Sequence, residues 1–410
     1  MKKVPYLQTL FLIFIFTAAC SPRKDVLTIE LQNPGAFDIK EHTISLDIPA
    51  FGSGAYYLYQ NGKPLPAQIV PPSGADSVYR IYFQTDIPAN GMVTLNLRSG
   101  SAKTDTIAFA TKKTLAELWY KEGGYFEGSE YKGGEFKPHQ SLRVPDECTD
   151  HSYYIKYEGP GWESDKVGYR LYLDWRNAID IYGKKTTAIV LPGVGLDGYE
   201  SYHNMSDWGM DVLKVGPSLG LGSLGYWNGQ AAERVAETDS VYCKVTEDGN
   251  LRSEILINYY GWKIADKSLD LQSSLSILAG SRATHHVVTL NNDIANLCTG
   301  IVRLENTTFF TGDSASEWNY IATWGKQSLA DDSLGMAVIF KQRSLKETTM
   351  DDNSHVVVLN PEGHKVDYYF LAAWEQEPDG IKTLNEFQKY LKNFTALLNE
   401  PVIISYKSGL

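Results

Sequence analysis

The chain has 410 residues, a formal net charge of -11, and 26 Tyr and 9 Trp. That length gives room for two domains and a substantial core. The acidic balance argues against nucleic acid as a partner, since a phosphate backbone needs a basic footprint; it leaves room for a local basic pocket that takes a small anion.

Residues 1–20 read as a signal rather than as part of the fold. Lys2 and Lys3 precede a short apolar run, Leu10 to Phe16, and then Thr17-Ala18-Ala19-Cys20. This is a secretory signal with a lipoprotein-type ending. It resembles the bacterial lipobox, with Thr17 in place of the usual Leu. Cys20 is then the lipidated first residue, and the mature protein is expected as an outer-membrane lipoprotein of a Gram-negative bacterium, facing the periplasm or the surface. The apolar run falls short of the about 20 residues a spanning helix needs. After Cys20 only Cys148, Cys243 and Cys298 remain, so at most one disulfide can form. Neither CxxC nor Cys/His zinc spacing occurs, and no cofactor or metal is expected.

Residues 21–112 alternate as short strands with a hairpin signal at Asn61-Gly62, which predicts a small β-sandwich domain. Residues 113–410 form the second, larger domain. Thr114-Leu115-Ala116-Glu117 reads as a capping box that opens a short helix, stopped by Gly123-Gly124. The segment from Gly123 to His151, alternating Gly with Tyr and Phe, reads as a long loop. From Tyr153 to Tyr369 strands dominate, with no helices between them to make parallel crossovers, so the sheets should be antiparallel. Thr383 to Asn399 is the one clear helix, capped by Thr383 and Glu386 and buried along Leu384, Phe387, Leu391, Phe394 and Leu398. The fold class is therefore mostly β: an antiparallel β-sandwich, preceded by a small one, with one C-terminal helix.

Three motifs lack the context they need. Gly220 to Gly225 matches GxGxxG, but no helix start follows. Gly216 to Gly220 matches GxSxG around Ser218, but the parallel sheet of a nucleophile elbow is missing. These glycines are read as tight backbone turns beside a ligand or another strand. His285 and His286 lie in one strand, face opposite sides and cannot share a metal; one should be buried and one exposed.

The special residues crowd between Glu158 and Gly225. In Val167 to Asp174 the alternation puts Val167, Tyr169, Leu171 and Leu173 on a core face and Arg170, Tyr172 and Asp174 on the other. Asp180, Tyr182 and Lys184 share a face of the next strand. If the two strands pair, the polar faces align. Tyr202-His203, Asp207, Trp208, Asp211 and Lys214 follow. This supplies a carboxylate clamp (Arg170, Arg176, Lys184), a proton-transfer group (His203, Tyr172 or Tyr202) and stacking surfaces (Trp162, Trp208). Glu163, Asp174, Asp180, Asp207, Asp211 and Lys214 complete the expected substrate-binding set. The inventory suits β-elimination on a uronic acid: the clamp neutralises the carboxylate, a base removes the neighbouring proton, and an acid protonates the leaving oxygen. The competing structural reading makes Asp and Arg on adjacent strands cross-strand ion pairs.

The run EGPGWESDKVGYRLYLDWRNAIDIYGKK, with YHNMSDWGMDVLKVG and the glycine-rich segment after it, resembles the domain of unknown function 4861 family. The resemblance spans most of the mature chain. It implies a β-sandwich related to galactose mutarotase and several polysaccharide lyases, a supersandwich in the large domain. It also implies a secreted or lipid-anchored bacterial protein encoded beside enzymes that degrade uronate-containing polysaccharides. It supplies no agreed catalytic residues. The expected partners are an oligosaccharide, uronate-containing, and the membrane through Cys20. The leading reading is a lyase or dehydratase acting by β-elimination on pectin- or ulvan-like oligosaccharides. The alternatives are a mutarotase or epimerase, using His203 with Asp174 or Glu163, and a non-catalytic glycan-binding lipoprotein.

Overall fold

The computed structural model describes residues 26–50, 55–72, 78–100 and 110–408; burial alternates along strands such as Thr43–Pro49 and Lys267–Leu278, while others, such as Ile179–Lys184 and Leu297–Val302, are buried on both faces. The signal segment and Cys20 lie outside the described residues. In strand Val26–Gln32, for example, Ile29 and Leu31 are fully buried. They face a core with Ile44, Leu46, Ile81, Phe83, Leu95 and Leu97. That core lies between a five-stranded and a three-stranded sheet. The Asn61-Gly62 hairpin is present, with φ of 51° and 76°. Both residues adopt the left-handed values that a two-residue type I′ turn requires. The last strand, Ile403–Ser408, pairs antiparallel with Val26–Gln32. A cut at residue 112 therefore separates this strand from the sheet it completes. Its alternating IISYKS pattern matches an open edge formed more than 350 residues earlier, a distance at which local sequence carries no register.

In the larger part, a nine-stranded sheet meets two five-stranded sheets, all with antiparallel ladders. One continuous core joins them: Tyr169, Leu171, Ile179 and Ile181 pack with Ile255, Leu271, Val288, Phe370, Ile301 and Val357. The helix Leu384–Asn399 has its capping box: Thr383 accepts from the Glu386 N–H at 3.2 Å, and the Glu386 carboxylate accepts from the Thr383 N–H at 3.0 Å. Phe387 and Leu391 are buried against Tyr320, Trp324 and Ile339.

Two expectations are corrected. Thr114–Glu117 is a strand, fully buried, that pairs with Gly161–Ser164. Here tertiary pairing overrides a local helix-start pattern, and the Thr114 hydroxyl donates to Gly249 O instead of capping. The expected loop from Gly123 to His151 is largely a ribbon, Trp119–Glu127 paired with Glu130–Pro138, with Gly124 opposite Gly133, followed by strand Ser141–Arg143. A two-stranded ribbon buries little on either face, so the hydrophobic alternation that marks a strand is absent there.

The glycine motifs are structural. A Cβ on Gly222, whose φ is 76°, would lie 2.3 Å from the Phe370 ring, and one on Gly220 would lie 2.2 Å from Ile179 O. Ser218 is buried; its hydroxyl donates to Val215 O and accepts from Gly220 N, so it closes a turn. His286 is buried against Ser273, whereas His285 faces the other way, 3.2 Å from Asp367.

Candidate functional site

Strand Val167–Leu171 pairs with Ile179–Lys184 in a register that sets Arg170 opposite Asp180, and the next strand sets Asp211 opposite Tyr182. The polar faces align as the alternation predicted. They are covered, however: Arg170, Asp180 and Asp211 are each almost fully buried. Arg170 spends its whole guanidinium on this cluster. Its Nε and Nη2 donate to Asp180 at 3.2 and 2.7 Å, and Nη2 also reaches Asp211 at 2.9 Å and the Tyr172 hydroxyl at 2.8 Å. Nη1 donates to the Tyr202 hydroxyl at 2.8 Å. The Tyr172 and Tyr202 rings lie over the guanidinium at 4.6 and 5.1 Å. Arg170 is thus the hub of a buried network that includes the cross-strand ion pair with Asp180.

The network sets the protonation of its members. Burial, and then the charge of Asp211, push the Asp180 carboxyl above its usual range, against the pull of Arg170. Burial pushes Tyr202 up to about 12 and Tyr172 well above the usual phenol value, so both remain protonated near neutral pH. The Tyr172 hydroxyl donates to Asp180 at 3.0 Å. The Tyr202 proton has no acceptor among the described residues.

His203 closes the short 3-10 turn Ser201–His203 and stands where the network meets water. Its side chain is 43% exposed, with Nε2 3.4 Å from the Asp211 carboxylate. That contact raises the His203 pKa above its ordinary value, with burial opposing. A half-exposed imidazole backed by a buried carboxylate is an arrangement that can accept or give a proton. Downstream, Asp207 and Lys214 are exposed, and Trp208 is half-buried with its edge against Tyr182 at 6.0 Å.

Three expected substrate contacts are corrected. Lys184 and Glu163 are fully buried and paired with each other at 2.5 Å. Ser164 O accepts from Lys184, and the N–H groups of Val190 and Leu191 satisfy the other Glu163 oxygen. Trp162 is also fully buried and donates to Thr284 at 2.8 Å. None of the three meets solvent, because each polar atom finds an internal partner that sequence does not reveal. Arg176 is committed too: it chelates the Asp174 carboxylate and donates to Glu158 at 2.7 Å and Asp150 at 2.8 Å. No member of the expected clamp Arg170, Arg176 and Lys184 is free for a ligand.

Asp150, His151 and Glu158 bring potential ligand atoms within 4.8 Å of one another. The Arg176 guanidinium already contacts both carboxylates, so it fills the place a metal ion would take. Two residues that the sequence did not single out border the same region: Trp175, at the tip of the turn between the paired strands, and Arg234. A turn could be read from Asp174 to Asn177; nothing local marks Arg234.

The fold and site together define a β-sandwich protein whose buried arginine–carboxylate–tyrosine network opens to solvent at one histidine. The chain belongs to the family described as Domain of unknown function (DUF4861), whose profile matches residues 31–404. Among solved structures, an alpha-mannosidase from Enterococcus faecalis V583 is similar with a TM-score of 0.50 and 11% identity, over 94% of this chain and 46% of that chain. A glycosyl hydrolase family 38 protein from Enterococcus faecalis has a TM-score of 0.48 and 11% identity, over 95% of this chain and 48% of that chain. The chain thus spans about half the length of each, and the likeness to the alpha-mannosidase is one of fold alone. No curated protein matches the chain.

Proposed function

We propose that the protein is a carbohydrate-active lyase or dehydratase that performs β-elimination on uronate-containing oligosaccharides, with His203 as the proton-transfer group. One observation carries this reading: His203 is the site's half-exposed titratable ring, and Asp211 behind it is held rigid by Arg170. In the reaction, neutral His203 takes the proton on the carbon beside the substrate carboxylate. The C–H electrons form a C=C bond and the bond to the oxygen at the next carbon breaks. Tyr202 and Tyr172, expected as proton donors, are buried with their hydroxyls bound to Arg170, so the imidazolium of His203 itself, backed by Asp211, returns the proton to that oxygen. A glycosidic oxygen leaves as a cleaved sugar; a free hydroxyl leaves as water. The likeness to proteins named as an alpha-mannosidase and a glycosyl hydrolase supports a sugar as the substrate. In this reading the lipidated Cys20 tethers the enzyme to the outer membrane.

A mutarotase needs a second accessible acid or base across the ring. Glu163 is sealed and Asp174 is chelated by Arg176, which counts against that alternative. The test incubates the chain from Ser21 onward with pectin- and ulvan-type oligosaccharides and follows ultraviolet absorbance and product mass together. Elimination gives new absorbance with cleavage or with loss of one water. His203→Ala should lower turnover by about 10²-fold or more while retaining binding. Undiminished turnover in that variant would remove His203 from the mechanism.

A further inference from the structure

Elimination beside a carboxylate needs a cation on that carboxylate, and Arg170, Arg176 and Lys184 are all spent inside the protein. Arg234, at the end of the edge strand Ala232–Arg234, differs from them. Its Nη1 donates to the carbonyls of Gly216 and Ser218, each at a long 3.3 Å. Its Nε and Nη2 have no hydrogen-bond partner among the described residues, and no described carboxylate forms an ion pair with it. The side chain is nevertheless half-buried, and the opposing charges of Asp174 and Arg176 both reach it. A guanidinium withdrawn from water with no counter-ion is costly, and an incoming anion relieves that cost. The two open donors point along the side of the fork that matches two carboxylate oxygens.

The surface beside it suits a sugar. The Arg234 guanidinium lies 5.6 Å from the centroid of the Trp175 ring. Trp175 is 51% exposed, unusual for so large an apolar group. Its turn is fixed on both sides: the Arg176 N–H donates to Asp174 at 2.9 Å, the Asn177 N–H to Asp174 O at 3.0 Å, and the Asn177 side chain to the Tyr259 hydroxyl at 3.0 Å. An indole carried on a fixed turn has few rotatable bonds to order when a sugar face stacks on it. Tyr172 connects this corner to the buried network, since its ring packs on Arg176 at 4.1 Å and its hydroxyl binds Arg170.

We propose that Arg234 and Trp175 form the recognition subsite for an acidic sugar, with Arg234 binding its carboxylate through Nε and Nη2 and Trp175 carrying its apolar face. The proposal deepens the uronate reading above and rests on it for the substrate class. Arg234 is thereby a specificity residue, distinct from the proton-transfer group His203.

The test measures affinity by calorimetry for an acidic oligogalacturonate or ulvan-type oligosaccharide, for its neutral methyl ester, and for a neutral sugar carrying a sulfate ester. The wild type should prefer the free acid. Arg234→Met should weaken the acid about tenfold or more and leave the ester unchanged, so that the preference collapses; Arg234→Lys should recover part of it. Trp175→Ala should weaken acid and ester alike. Each variant is accepted only with a wild-type unfolding temperature. An acid preference that survives in Arg234→Met overturns the proposal, as do preference for the sulfate ester and absence of binding across the acidic panel. The two readings separate cleanly. Arg234-dependent binding without any elimination product keeps the subsite and removes the lyase. Elimination with an unchanged KM in Arg234→Met keeps the lyase and removes the subsite.

Discussion

Replacing Arg170 by Met keeps an unbranched apolar stem and deletes the charged head, and it separates a structural hub from a substrate clamp. Asp180 loses two charge-assisted hydrogen bonds and Asp211 one, both carboxylates being buried, and the Tyr172 and Tyr202 hydroxyls each lose a donor. Breaking a buried pair from one side costs about 3–5 kcal/mol, because the remaining charge is left uncompensated. Part of that is recovered by protonation. Asp180 already sits above the usual carboxylate range through burial and the charge of Asp211, and loss of Arg170 raises it further. The folded state then holds a proton that the unfolded state releases above about pH 4, so stability falls as pH rises through that range. The deficit of Arg170→Met should thus be about 3–5 kcal/mol at pH 8 and smaller at pH 5. Urea unfolding followed by tryptophan fluorescence reads it directly. A deficit below about 1 kcal/mol, or one that does not change with pH, would refute the hub and return Arg170 to the list of substrate ligands.

Three further outcomes follow from named contacts. The His203 pKa lies above 6.5 because of Asp211, so any stability from that pair is present below 6.5 and is lost as pH rises through the higher folded value. As a base, His203 should make kcat/KM rise with pH to a midpoint above 6.5, and Asp211→Asn should move that midpoint down; a wild-type midpoint below 6.5 contradicts the assignment. Gly222→Ala forces a methyl group to 2.3 Å from the Phe370 ring at a φ of 76°, and should cost about 2 kcal/mol or more in chemical denaturation. Chelators should leave the melting temperature unchanged, because the Arg176 guanidinium already pairs with Asp150 and Glu158; a rise in melting temperature on adding calcium would show that the arginine yields its place.

Much of the architecture could be read from periodicity. The face of Val167, Tyr169 and Leu171 is core, the Asn61-Gly62 turn closes a hairpin, and Thr383 with Glu386 starts the only α-helix of the described residues. These signals are local: each lives in a few adjacent residues whose spacing repeats. The failures share the opposite property. Thr114–Glu117 is a strand because of Gly161–Ser164, and Ile403–Ser408 belongs to a sheet whose other strands lie at the far end of the chain. The ribbon Trp119–Glu127 with Glu130–Pro138 failed differently, since none of its residues is fully buried and its glycines interrupt the hydrophobic pattern.

The pairing of the candidate residues was legible in the sequence; their accessibility was not. The region from Glu158 to Asp211 is where charge concentrates, and the cross-strand alignment of Arg170 with Asp180 follows from alternation alone. Sequence gives the charges and their side of the strand, but not what covers that side. A buried charge survives only with its partners supplied, so a dense cluster of Arg, Asp and Tyr can equally be a ligand site or a self-satisfied interior network. The hydrogen bonds decide between them: a side chain whose donors are all spent cannot clamp a substrate. Arg170, Arg176 and Lys184 fail that criterion, while Arg234 passes it with two open donors. In the proposed mechanism the same accounting gives the spent residues a supporting role. Arg170 fixes Asp211, Asp211 faces His203, and the imidazole is presented to solvent in one place rather than many. Rigid support of this kind is what proton transfer needs, because a misplacement of about 1 Å in the reacting groups can cost 10²-fold in rate. In the proposed mechanism the buried network and the solvent-facing residues are one device, and only its outer half meets a ligand, although the sequence reading gave both halves to the substrate.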